Sequence, residues 1–343
     1  MKNFVKGRRI LFSHYDFPVR HNQLFWIEIL SKHLKKLKNL IGPVILIYFL
    51  IKIDFGALKE VLTGVDPIFF AALMIFFPMM MIKTYRWLVL LKNFGVNIDF
   101  SNLFNLNLKG VLYGSITPGR LGEISKGYML GKMKYSLSSS IVSAVLDRIV
   151  DIFFLLGFGL FGFFYFYKEF QIDVVLLVIV VGGIAAVSAL LLNRRVRLKI
   201  TTFIRKKIKD DDGAVIQSLK EIKKDKMLVL SALSILAWVL YFCEIFLFSE
   251  SLSIDVDVIF LVSAISASTI ISILPISILG MGTRDATLIF LFSMKGIATE
   301  KTLALSFLIL LMFGFNICAC YLYSLVYDLK NYKNYNVISK GEC

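Results

Sequence analysis

A recurrence of apolar runs near or above the roughly 20 residues that a helix needs to cross a bilayer core of about 30 Å constrains this chain more than any other feature. The runs lie at 40–51, 67–82 with an extension to Leu91, 139–167, 172–192, 227–249, 257–279 and 302–327. Hydrocarbon offers no water to a backbone N–H or C=O, so such runs read as helices and an open sheet is excluded. Composition points the same way: 57% of the 343 residues are hydrophobic, 18% are charged, and the mean hydropathy is +0.75. That balance lies outside the ordinary globular range. The expectation is an all-α polytopic membrane protein, with no soluble portion large enough for a separate catalytic domain.

The net charge of +15 is unevenly placed. Basic residues collect in an arm over 1–39 (Lys2, Lys6, Arg8, Arg9, Arg20, Lys32, Lys35, Lys36, Lys38) and over 193–226, whereas loops at 52–66, 168–173 and 249–257 carry Asp54, Glu60, Asp66, Glu169, Asp173, Glu250, Asp255 and Asp257. Under the positive-inside rule the basic segments are cytoplasmic, which predicts a cell-membrane protein with both termini in the cytoplasm. A basic arm beside a bilayer attracts anionic lipid more readily than it explains nucleic-acid binding. Within the arm, Leu24, Ile27, Leu30, Leu34 and Leu37 recur at helical spacing opposite lysines, the pattern of an interfacial helix whose first role is anchoring. The 193–226 segment reads as two short amphipathic helices separated by Asp210, Asp211, Asp212 and Gly213.

Several chemistries lack their residues. No cleavable signal peptide is visible, since the first strongly apolar run begins near Leu40. Cys243, Cys318 and Cys320 lie inside apolar runs and Cys343 is terminal, which predicts reduced, structural thiols. His14, His21 and His33 all fall in the arm, leaving no histidine for a metal site or a triad in the core. The expectation is therefore no catalytic residue, no metal and no cofactor.

Two stretches do not behave as spanning helices. The first, 101–134, carries Asn102, Asn105, Asn107 and Lys109, breaks at Thr117-Pro118-Gly119 and resumes through Arg120, Gly122, Glu123 and Lys126. The second, 257–295, breaks at Pro275 and around Gly280 and Gly282, then continues through Thr283, Arg284 and Asp285. Flanking charge puts both ends of the first in the cytoplasm, and counting spans puts both ends of the second outside, so each is drawn as a re-entrant broken hairpin. The result is about six spanning helices plus two hairpins, in halves over 40–167 and 168–330 followed by a polar tail over 331–343. Opposite starting sides make the halves a candidate inverted-topology repeat, and paired Gly/Pro-interrupted segments point to a transport site near the midplane. The competing drawing makes 257–274 a full span, which would reverse the sides of Lys295 and Lys330.

Charged residues at membrane depth cost about 2.5–3.5 kcal/mol each on insertion scales and call for a reason. Asp147, Arg148 and Asp151 lie in the 139–167 run, about 15–21 Å from an interface near Leu137 at 1.5 Å per residue. Asp147 and Asp151 share a helix face, and Arg148 is within reach of Asp151. They read either as a structural ion cluster or as a lipid-phosphate or proton site. At the breaks, a helix starting after Pro118-Gly119 would point unpaired N–H groups at an anion. Arg120 and Arg284 would add guanidinium forks matched to phosphate, with Glu123 and Asp285 balancing them when no substrate is bound. The plainer alternative is that proline and glycine shape two turns while the arginines pair with neighbouring carboxylates. Glu244 reads as an acid that snorkels to the outer face, or else as a proton-coupling group. Lys83 and Arg86-Trp87 read as an interface anchor. Asp255-Val-Asp257 is too common a pattern to carry a transferase reading.

Three motifs in order, Ser115-Ile-Thr-Pro118-Gly119-Arg120-Leu-Gly122-Glu123, Asp147-Arg148-Ile-Val-Asp151 and Leu274-Pro275-Ile-Ser-Ile-Leu-Gly280-Met-Gly282-Thr-Arg284-Asp285, resemble the flippase-like transmembrane region of lysylphosphatidylglycerol synthases. The same region occurs alone in a large family of bacterial and archaeal membrane proteins. The resemblance spans roughly 40–330. The synthases' soluble aminoacyl-transferase domain has no counterpart here, and family members often carry Glu where this chain has Asp147 and Asp285. The resemblance implies translocation, between leaflets, of a lipid with a polar, anionic or phosphate-linked headgroup. Arg120 and Arg284 would hold phosphate, and Asp147, Arg148 and Asp151 would line the cleft. Two other classes stand beside it: an accessory partner of a separate lipid-synthesising enzyme, and an intramembrane transferase, for which nucleotide site, nucleophile and metal spacing are missing.

Overall fold

The computed structural model describes residues 55–133, 135–170, 182, 224–273 and 280–340. The basic arm, the 40–51 run, nearly all of 172–192 and 193–226, and Pro275 lie outside them. Among the described residues the regular structure is helical, and three helices are long and apolar enough to cross a membrane: Ile68–Asn93, Lys226–Ser251 and Thr299–Lys330.

A short helix, α1 (Phe55–Thr63), leads into the first of these. It is two pieces, α2 (Ile68–Leu73) and α3 (Phe76–Asn93), because Pro78 brings no N–H to the Met74 carbonyl and its ring crowds that oxygen. Next, α4 (Phe100–Ser115) starts on Asp99, whose carboxylate accepts from the Ser101 and Asn102 amides. A 3-10 segment, Pro118–Ile124, and α5 (Ser125–Lys132) follow. The long α6 (Leu137–Phe170) and α7 (Lys224–Ser251) precede the second broken segment. That segment comprises α8 (Val258–Ile273), capped by Asp257 on the Ile259 and Phe260 amides, and α9 (Thr283–Ser293). The last helix, α10, runs Thr299–Lys340, so its helical backbone extends through most of the stretch expected to be a tail.

Both broken segments double back. At the first tip Gly119 and Arg120 adopt left-handed φ values of 65° and 55°, which turns the chain so that the 3-10 segment lies along α4. The approach is close: a Cβ on Gly122 would stand 2.1 Å from the Tyr113 carbonyl oxygen. At the second tip Gly280 and Gly282 have φ of 75° and 81°, and a Cβ on Gly280 would strike the Ser272 hydroxyl. With 16 residues each, α4 and α8 reach only about 24 Å, short of a bilayer core.

The contacts at the helix ends fix the direction of each piece. At one end of the bundle Lys226 bonds Asn93, Tyr327 bonds Asn102, and Lys109 pairs with Asp328. At the other end Asp66 bonds Ser251 and Lys301 bonds Ser253. The first broken segment therefore has its open end beside Asn93 and the second beside Ser251, and Gly119 of the first lies against the Ile273 carbonyl of the second. Apolar packing holds this frame: Phe69, Ile245, Phe248, Phe260, Leu288, Phe292 and Leu305 form one buried cluster, and Trp87, Leu91, Leu103 and Leu130 another. Phe70, Met81, Leu228, Phe290 and Val326 stay exposed around the outside, an apolar belt suited to lipid rather than water.

Candidate functional site

Arg86 is the centre of the buried polar network, and its place overturns the interface-anchor expectation. The side chain is fully buried inside the helix bundle. Its Nε donates to Asp147 at 2.8 Å, and its Nη1 donates to Asp151 at 2.6 Å and to the Ser234 hydroxyl at 3.1 Å. Two carboxylates one turn apart on α6 make a double acceptor that a guanidinium fork spans. Trp87, also buried, donates its indole N–H to Ser143.

Lys126 completes the network from the returning limb of the first hairpin. Its ammonium meets Asp147 at 2.6 Å and the Asn107 carbonyl oxygen at 2.9 Å, and lies 4.5 Å from the Trp87 ring centre. Asn107 in turn donates to Thr84. Asn102, Asn105 and Lys109, on another face of α4, instead dock the hairpin onto Tyr327 and Asp328 of α10.

Arg148 does not pair with Asp151 as the spacing suggested, because Arg86 already occupies that carboxylate. It pairs with Glu123 at 3.1 Å. Arg120 stands farther from Glu123, at 3.9 Å, with its side chain 38% exposed.

At the second tip Arg284 and Asp285 are buried and paired at 2.9 Å. Asp285 also accepts from the Gly282 amide, which caps α9, and from the Ser306 hydroxyl. Arg284 Nη2 donates to the Ser306 carbonyl and hydroxyl, while Nη1 is buried with no partner among the described residues. Helix N-termini are not what the tips offer an anion. Two left-handed residues postpone α5 to Ser125, Thr117 takes the Gly122 amide, and Asp285 takes that of Gly282. What the tips present is guanidinium. Arg120 and Arg284 lie against one ring, Phe313 of α10, at 5.0 and 5.7 Å from its centre.

A cavity of about 130 Å³ opens between the tips. Gly119, Arg120, Glu123, Lys126, Asp147, Arg148, Asp151 and Arg284 line it, with Lys83, Trp238, Tyr241, Phe313 and Asn316. Its size is close to that of the roughly 150 Å³ cavity known to admit a benzene ring.

The sequence profile of the lysylphosphatidylglycerol synthase TM region matches residues 37–320. The chain belongs to that family. It is similar to a UPF0104 membrane protein of Methanothermobacter thermautotrophicus, 23% identical over 301 residues, with 80% of this chain and 89% of that protein covered. A UPF0104 membrane protein of Methanocaldococcus jannaschii is 27% identical over 251 residues, covering 66% of this chain and 74% of the relative. No solved structure matches. The family and the apolar helices together make this a membrane protein.

The structure places Arg120, Glu123, Asp147, Arg148, Asp151 and Arg284 on the wall of one cavity, and Asp285, expected beside them, outside its lining and against Arg284 and Ser306; the sequence reading passed over Lys83, Arg86, Lys126 and Asn107 as site residues. A charge balance would have pointed to the cations, since Asp147 and Asp151 at membrane depth need partners, and Lys83 and Arg86 sit one turn apart inside the 67–91 run; Asn107 carries no charge and gave no such signal. Glu244 does not snorkel: it is fully buried on α7, and neither carboxylate oxygen has a partner among the described residues. Cys243, Cys318 and Cys320 are free, with Cys320 buried.

Proposed function

We propose that this protein is a translocator that passes a lipid with an anionic, phosphate-linked headgroup between leaflets, without catalysing a covalent change. One observation carries the reading: Arg120 and Arg284, from hairpins entering at opposite ends of the bundle, converge on Phe313 beside a cavity that both of them line. Guanidinium groups held at a cavity wall offer forked donors that the oxygens of a phosphate in the cavity would meet. The hairpins act as re-entrant elements in this reading, and their opposed entry suits a site reached alternately from each side. Acyl or isoprenoid tails stay in lipid while the headgroup crosses in the polar cleft.

The test is reconstitution of the purified chain into vesicles carrying a reporter lipid in one leaflet. Protein-dependent equilibration is expected. Undiminished transport by both Arg120→Ala and Arg284→Ala would defeat the proposal. Absence of transport by the isolated chain, with co-purification of a lipid-synthesising enzyme, would favour the accessory-subunit role.

A further inference from the structure

Among the described residues each carboxylate lining the cavity, and Asp285 beside it, already has its own cation. Asp147 is matched by Lys126 at 2.6 Å, Asp151 by Arg86 at 2.6 Å, Glu123 by Arg148 at 3.1 Å and Asp285 by Arg284 at 2.9 Å. Among the described residues two cations on the cavity wall are left over. Lys83 stands 3.8 Å from Asp151 and 5.8 Å from the Trp238 ring centre, and Arg120 stands 3.9 Å from Glu123, so neither holds a carboxylate at hydrogen-bond distance. Among the described residues five cations (Lys83, Arg120, Lys126, Arg148, Arg284) and three carboxylates (Glu123, Asp147, Asp151) line this cleft between apolar helices, a formal excess of two positive charges that is unchanged when their partners Arg86 and Asp285 are added.

Charge removed from water and left unbalanced is expensive, so the cleft is built for a guest that supplies the missing negative charge. From this balance we infer that the transported headgroup presents two negative charges, as a phosphomonoester or a diphosphate linkage does, and that Lys83 and Arg120 receive them. A phosphodiester brings one charge and a zwitterion none, and each leaves a cation unmatched. Phosphomonoesters carry close to two charges near neutral pH. The inference rests on the translocator reading for its ligand, but binding can be measured apart from movement.

The experiment measures binding to the purified full-length chain in neutral detergent micelles, by native mass spectrometry and ligand-induced thermal stabilisation. The probes are a prenyl-diphosphate-linked sugar, whose diphosphate is esterified at both ends and carries two charges, phosphatidic acid, phosphatidylglycerol and phosphatidylcholine. At least one dianionic probe is expected to bind about tenfold or more tightly than phosphatidylglycerol, the worth of one extra hydrogen bond between charged groups. The two dianionic arms separate a diphosphate from a monoester. Lys83→Met is expected to bring that ratio down to about one to two, a change that general loosening would not produce. Arg120→Gln, at the more exposed tip, should do the same and serves if Lys83→Met does not fold. Equal binding of the dianionic lipids and phosphatidylglycerol, binding of none, or an unchanged ratio in the variants would overturn the inference. Selective binding without vesicle transport would sink the translocator reading and leave this one standing.

Discussion

Gly119, at the tip of the first hairpin, lies so close to the backbone carbonyl of Ile273 at the end of α8 that a methyl group on it would stand 2.7 Å from the oxygen. The two broken segments thus touch through backbone, and any side chain at Gly119 pushes them apart. Its φ of 65° already penalises a Cβ by about 1–2 kcal/mol. Gly95 supplies the control, since its φ is 70° but nothing lies within 4 Å of the added Cβ. Gly119→Ala should destabilise the protein by at least about 1 kcal/mol more than Gly95→Ala, read from thermal unfolding in detergent, because overpacking adds to the strain.

Arg86 holds two buried carboxylates at once, so its loss strands both. Arg86→Met is expected to cost about 3–5 kcal/mol, the usual penalty for breaking a buried ion pair from one side. Asp151→Asn in the same chain should recover part of that, with a coupling of about 1–3 kcal/mol in a double-mutant cycle. Additive effects in equilibrium unfolding would show that the pair does not interact as drawn.

Glu244 is a carboxyl in an apolar setting with neither oxygen engaged by the described residues. Glu244→Met keeps the volume and removes the unsatisfied polar atoms, so stability should rise by about 1 kcal/mol. A fall in melting temperature would mean that the acid has a partner worth keeping.

Lys295 and Lys330 are exposed near opposite ends of α10 and on opposite sides of its candidate span. In a background lacking the native cysteines, Lys295→Cys and Lys330→Cys should label with an impermeant thiol reagent from opposite faces of the membrane, Lys330→Cys from the cytoplasm. Labelling of both from one face would rule out the spanning assignment.

Arg120→Ala and Arg284→Ala should each slow vesicle transport about tenfold, the scale of one charge-assisted hydrogen bond. Lys109→Ala, which removes only the exposed pair with Asp328, should leave transport unaltered, since such pairs contribute about 0–1 kcal/mol. A Lys109→Ala effect as large as those of the arginines would mean that hairpin docking, not headgroup contact, limits the rate.

The membrane-helical class was legible from the apolar runs because the cost of unpaired backbone in hydrocarbon acts on every residue locally and leaves no other solution. The two breaks were legible for a related reason, as proline and glycine set backbone conformation within a few residues. Asp147, Arg148 and Asp151 stood out because their insertion cost is a property of each side chain at its depth. Partnership was not local. Whether Asp151 holds Arg148, three residues away, or Arg86, 65 residues away, depends on how α3 packs on α6, and the competition between cations is decided only when both are in place. The same packing buried Arg86 and Glu244, which local pattern had put at interfaces, and turned Lys83 toward the cavity. Sequence determined which segments must be helical and where they must break; tertiary structure decided which charges meet, because burial and pairing belong to the assembled surfaces of several helices and to no single stretch of chain.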